Sequence, residues 1–181
     1  MSGLTFDPSI LSAEDRDLAI EYVSCCLPHP NVILAPDGEP YLYRWHLAYN
    51  NARGNVFLHV QVKSDPERPL HDHPWDNTSV ILAYGYDESY DPQPWIPSEM
   101  KPYNGYLERE LRKGDMVYRS AGCAHRLILP DGVPYAMTLF STGPNASGGG
   151  TRKTPCHIDM PMRGCTITLD GVPVVVDGAL A

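Results

Sequence analysis

Apolar and polar residues along this chain follow two different periods. Near the N-terminus Leu18, Tyr22, Val23 and Cys26 recur at helical spacing. Ser12 stands in front of them as an N-cap, Glu14, Asp15 and Asp17 place negative charge at the positive end of the helix dipole, and Pro28 stops the run. One helix packed on the outside of a sheet is predicted there. Beyond it the period shortens to two, in brief runs of Val, Ile, Leu, Tyr and Phe punctuated by Pro, Gly, Asn and Asp. Strands are predicted near 31–34, 41–48, 55–63, 70–73, 78–84, 105–111, 115–119, 125–129, 135–141, 166–169 and 172–176. Asp131-Gly132 and Asp170-Gly171 read as hairpin turns, because Asp-Gly tolerates the positive φ that tight turns demand.

This pattern gives an all-β fold in a single domain, 1–181. It comprises an N-terminal helical segment (1–30), a β-barrel core (41–141), and a flexible loop with a C-terminal hairpin (142–181). Two stretches read as loops. Tyr86 to Asn104 carries four prolines with Tyr90, Trp95 and Tyr103, and is either a cover for the barrel mouth or an ordinary surface loop. Thr142 to Pro155, with Ser147-Gly148-Gly149-Gly150, is predicted to be mobile.

Composition narrows the partners. The 181 residues carry a formal net charge of -8, which opposes a nucleic-acid role, since phosphate binding needs concentrated Lys and Arg. No apolar run approaches the roughly 20 residues of a membrane span, and no basic segment followed by an apolar core opens the chain. The five cysteines (Cys25, Cys26, Cys123, Cys156, Cys165) show no Cys-x-x-Cys pair and suit a reducing compartment. The expectation is a cytoplasmic protein with a small-molecule substrate as its partner, no nucleic acid and no membrane.

Histidines change the picture most. His71 and His73, one residue apart, point to the same face of an extended segment. His125, behind the turn-forming Gly114 and Gly122, can close them into a facial set of three imidazoles with coordination positions left open. Chemistry at, or recognition by, a bound metal is implied.

These residues resemble the two motifs of the cupin superfamily. In the first motif (Gly, five residues, His-x-His, three or four residues, Glu, six residues, Gly), His71, His73 and Gly85 match, Asp65 replaces the first Gly, and Thr78 takes the Glu position. In the second (Gly, five residues, Pro-x-Gly, two residues, His, three residues, Asn), Gly114, Gly122 and His125 match, with Ser120 for Pro and Leu129 for Asn. The resemblance spans roughly 41–141 and is strongest to small bacterial and phage cupins without an assigned substrate. It implies a double-stranded β-helix, or jelly-roll, barrel. It also implies a metal held by His71, His73 and His125, with Thr78, Asn77 or Asp76 as a further ligand or as an orienting neighbour. A neutral three-histidine set resembles that of thiol and diketone-cleaving dioxygenases. A divalent metal is expected, Fe(II) first, with Zn, Ni and Mn open.

The leading expectation is a mononuclear non-haem Fe(II) dioxygenase acting on a small anionic metabolite. A metal-dependent isomerase or lyase and a non-catalytic ligand-binding cupin are the alternatives. Arg44 is the main candidate for substrate binding, through its planar fork of donors. His59, on the strand parity of Phe57 and Gln61, could line the pocket, although it reads first as structural, as do His46 and His157; Cys123, two residues from His125, reads either as a pocket thiol or as part of the turn at Gly122. The apolar hairpin Val172-Pro173-Val174-Val175-Val176 offers an edge for a homodimer built by sheet extension.

Overall fold

The computed structural model describes residues 6–23, 30–50, 54–66, 70–91 and 106–144, together with the backbone of 166–169 and 172–175. The predicted helix is present as α1, Ala13–Val23. The Ser12 hydroxyl accepts from the Asp15 amide at 3.1 Å, the capping that the sequence predicts. Asp15 is buried because it accepts a 2.7 Å bond from the Tyr135 hydroxyl, which itself accepts from the Ser12 amide at 3.0 Å. The cap thus ties the helix to the sheet. Leu18, Tyr22 and Val23 pack beside buried Ala19 against the core, while Cys26 lies outside the described residues. A short 3-10 turn, Pro8–Ile10, precedes the helix and was not apparent in the sequence pattern. Among the described residues no helix is long and apolar enough to cross a membrane.

Among the described residues, nine strands form two antiparallel sheets. They are β1 (Asn31–Leu34), β2 (Pro40–Asn50), β3 (Gly54–Gln61), β4 (Asn77–Ala83), β5 (Gly85–Tyr90), β6 (Leu107–Arg112), β7 (Met116–Arg119), β8 (His125–Ile128) and β9 (Ala136–Thr142). The larger sheet has the order β1-β2-β3-β9-β4-β7, and the smaller β6-β5-β8. One face of the larger sheet carries Tyr43, Trp45, Leu58, Val60 and Met137 and packs under α1. The other face carries Arg44, Phe57, His59, Phe140, Ser79, Ile81 and Arg119 in register and looks toward the smaller sheet. At one end the two sheets meet through Ile81, Val117 and Ala136 against Tyr86, Leu111 and Leu127.

Three expectations need correction. The predicted strand 70–73 is only an isolated bridge between His71 and His125, since Pro74 follows at once and cannot donate to a ladder. The predicted loop from Tyr86 begins as a strand: β5 is the central strand of the smaller sheet, and its Tyr86 and Glu88 are fully buried. The Pro-rich part, 92–104, lies outside the described residues, as does 145–155. Asp131-Gly132 does form a turn, with Gly132 at φ +79°, but it is no hairpin. It carries the chain from β8 in the smaller sheet to β9 in the larger. The C-terminal strands β10 (Thr166–Leu169) and β11 (Val172–Val175) do pair antiparallel, as the Asp-Gly signal between them predicts.

The chain passes from β4 to β5, and so between sheets, through Tyr84 and Gly85 alone. Tyr84 has φ +52° and Gly85 φ +136°. A Cβ on Gly85 would lie 2.0 Å from the Leu111 carbonyl oxygen, so only glycine fits this corner.

Candidate metal centre

The stretch 71–73 runs alongside 122–125. His71 and His125 exchange two backbone hydrogen bonds of 3.0 and 2.8 Å, and the Gly122 amide donates to the His73 carbonyl at 3.0 Å. Gly122 takes φ +77°, which turns the chain so that β8 starts at His125. All three rings are buried and converge, with centroids 4.6 Å (His71–His125), 5.1 Å (His73–His125) and 5.4 Å (His71–His73) apart. One ring nitrogen from each lies within 4.8 Å of the others. Imidazole nitrogens about 2.1 Å from a shared ion sit closer together than that bound, so small ring rotations complete the set.

The donor chemistry fits a metal. Nδ1 of His125 donates to the Cys123 carbonyl at 3.2 Å, which leaves Nε2 with its lone pair. Burial holds His125 well below the usual histidine pKa, and Arg119, His71 and His73 add to the effect. The ring is therefore neutral, as a ligand must be. His73 meets Trp75 edge-on at 4.5 Å, and its ring lies 6.2 Å from Phe140. This apolar packing shields the site on one side.

The other candidates separate. Asp76 accepts from the Ala121 amide at 2.7 Å and stands outside the three-residue group, so it braces the 120–122 turn. Asn77 is buried but accepts from Arg119 at 3.2 Å, and Thr78, on the opposite parity of β4, is half-buried. The Cys123 thiol donates to the Asp91 carbonyl at 3.5 Å, and burial pushes it up in pKa. Arg44 and His59 are brought together, since Arg44 Nε donates to His59 Nε2 at 3.0 Å. His59 stacks on Phe140 at 4.9 Å, and the Arg44 guanidinium lies 5.2 Å over the Phe57 ring. Arg44, Phe57, His59 and Phe140 thus form one wall adjoining His73. His157 lies outside the described residues, as do Cys25, Cys26, Cys156 and Cys165.

Sequence reasoning missed a buried ion-pair network between the sheets. Arg119 is 2 % exposed, and its Nε is 2.5 Å from Glu88, which is fully buried. Its other nitrogens reach Asn77, Ser79 at 3.0 Å and the Tyr86 hydroxyl at 3.3 Å. Arg109 pairs with the second Glu88 oxygen at 2.7 Å. Burial works against the Arg119 charge, but Tyr86 and Glu88 outweigh it and keep the guanidinium protonated. The signal available was parity: Arg119 shares the face of Val117 in β7. Its partner was hidden by the reading of Glu88 as loop.

Both motif halves therefore supply histidines to one buried cluster, on two facing antiparallel sheets. That arrangement resembles the metal site of the cupin superfamily. A family described as NicX, 2,5-dihydroxypyridine 5,6-dioxygenase, matches residues 135–181 of this chain. The 2,5-dihydroxypyridine 5,6-dioxygenase of Pseudomonas putida is 59 % identical over 44 residues, 24 % of this chain and 13 % of that enzyme. The chain thus spans about an eighth of the length of the curated relative it matches. The family match covers β9 and the C-terminal hairpin and includes none of His71, His73 and His125. Among solved structures, hydroxypropylphosphonic acid epoxidase from S. wedmorenis aligns over 62 % of this chain and 55 % of its own, at 12 % identity and a TM-score of 0.45. The EutQ protein of Clostridium difficile aligns over 57 % and 68 %, at 11 % identity and 0.40. Structural likenesses this partial say nothing about activity.

Proposed function

We propose that this protein is a cupin and a mononuclear non-haem Fe(II) dioxygenase acting on a small anionic metabolite, with a jelly-roll barrel built over 41–141 and with His71, His73 and His125 as the ligands. The observation that carries the reading is the convergence of three buried imidazoles within 4.8 Å. An all-imidazole set leaves the full charge of a divalent ion uncompensated, which favours an anionic ligand in the open positions. Imidazole also suits Zn, Ni and Mn, and the resemblance of the donor set to dioxygenase sites puts iron first. The short C-terminal identity to a dioxygenase agrees in direction.

The bound ion would supply Lewis acidity and, as iron, access to dioxygen chemistry. The remaining tasks fall to the chain. Arg44, held by His59 against Phe57, presents a cation beside the histidines and pairs with the substrate anion. Phe140 and Trp75, packed near His73, keep bulk water off that side.

The test is anaerobic iron loading followed by oxygen uptake against thiols, diketones and hydroxylated aromatic acids, 2,5-dihydroxypyridine included. Substrate-dependent uptake, abolished in His73→Ala and weakened in Arg44→Gln mainly through KM, is the expected result. Turnover without oxygen would replace this reading with a Lewis-acid isomerase or lyase. A saturated metal site without turnover would replace it with a binding cupin.

A further inference from the structure

We propose that Asp65 is a positioning residue that orients His71 for ligation and at the same time anchors the strand carrying His125; this rests on the metal site proposed above. Asp65 stands where the first cupin motif has glycine, so its carboxylate is an addition of this chain to the pattern. The residue is 5 % exposed. Oδ1 accepts from the Tyr41 hydroxyl, and Oδ2 accepts from the Leu127 amide at 2.7 Å. The Asp65 amide donates in return to the Leu127 carbonyl at 2.8 Å. Leu127 lies in β8, two residues beyond His125, so these bonds set the position of the third histidine along its strand.

The same Oδ2 lies 3.7 Å from Nδ1 of His71. That is longer than a hydrogen bond, but a rotation of the ring that draws Nδ1 in by about 0.8 Å makes it one. A carboxylate facing Nδ1 favours the tautomer with its proton there, and Nε2 then offers its lone pair to the ion. The Cys123 carbonyl does the same for His125 at 3.2 Å. Two of the three rings are thus oriented through Nδ1, one by a backbone oxygen and one by a buried side chain whose other bonds run to Tyr41 and Leu127.

Two measurements test this. Nitrogen-15 NMR of the metal-free wild type should find His71 as the Nδ1–H tautomer, and Asp65→Asn should shift that population. Co(II) titration, read by visible absorption, should give a dissociation constant roughly 10- to 100-fold higher in Asp65→Asn. Tyr41→Phe, which keeps the carboxylate, should bind Co(II) nearly as wild type does. An Nε2–H tautomer in wild type, or unchanged tautomer and affinity in Asp65→Asn, overturns the proposal. If Asp65→Asn folds poorly, the wild-type tautomer and the Asp65→Glu affinity decide, with partial rescue expected and full loss counting against it. Wild type that takes up no Co(II) sinks the metal reading itself, and with it the ligation role of Asp65, even where the tautomer is Nδ1–H.

Discussion

His71 and His125 lie directly opposite one another and exchange both backbone hydrogen bonds, at 3.0 and 2.8 Å. Main-chain geometry therefore sets the separation of their side chains, and their rings meet at 4.6 Å. His71→Ala and His125→Ala keep these bonds, so each is expected to stay folded, with Tm lowered by only a few degrees, while bound metal falls to background. Elemental analysis beside thermal unfolding checks it. Loss of fold along with metal would mean that the rings, rather than the backbone, hold the two segments together.

The Arg119–Glu88–Arg109 network predicts an asymmetric mutational response. Glu88→Ala leaves the Arg119 guanidinium buried without its carboxylate and is expected to cost about 3–5 kcal/mol in urea unfolding. Arg109 is part-exposed, so Arg109→Ala should cost much less, on the order of 1 kcal/mol. Similar small losses for both would show that the buried pair relaxes or hydrates.

Two glycines with positive φ should differ sharply. Gly85→Ala forces a Cβ against the Leu111 carbonyl at 2.0 Å, between two backbones that cannot yield, and should unfold the chain or leave it insoluble. Gly132→Ala meets nothing within 4 Å, and its backbone conformation alone should cost about 1 kcal/mol. Expression in soluble form and Tm separate the two, and equal behaviour would contradict the corner geometry.

His46 gives the fold a pH dependence of known sign. Burial, assisted by Arg44, lowers it to about 4 from the ordinary 6.5. Between those values the unfolded chain binds a proton that the folded chain does not, so this residue makes stability rise with pH through that window and level off above it. The Asn31 amide, 3.5 Å from Nε2, fits the neutral ring. His46→Gln should flatten the slope of unfolding free energy between about pH 4 and 6.5. An unchanged slope would mean that the ring is protonated in the fold.

What the sequence disclosed and what it hid have separate physical causes. Strands whose neighbours alternate, such as β2, β3 and β4, were legible because one of their faces packs under α1 and the other lines the interior. β5 was not. Asp87, Glu88 and Ser89 read as loop, and what makes them strand is tertiary: Arg119 and Arg109 arrive from other strands to neutralise Glu88. The three histidines were legible from spacing alone, since parity and one glycine turn suffice to bring them together. Asp65, next to His71 in space, carried no local signal, because its partners Tyr41 and Leu127 are distant in sequence.

The corner at Tyr84 and Gly85 also has a mechanical consequence. β4 and β5 diverge from it like the arms of a V, one in each sheet, and the apolar contacts of Ile81, Tyr86 and Leu111 fill the vertex. Asn77, just past the His73 segment, and Tyr90, opposite His125, mark the far ends of the arms. The apolar vertex and the three histidines thus stand at opposite ends of the two sheets, so a substitution in the Ile81, Tyr86 and Leu111 packing changes the angle between the arms without touching a histidine.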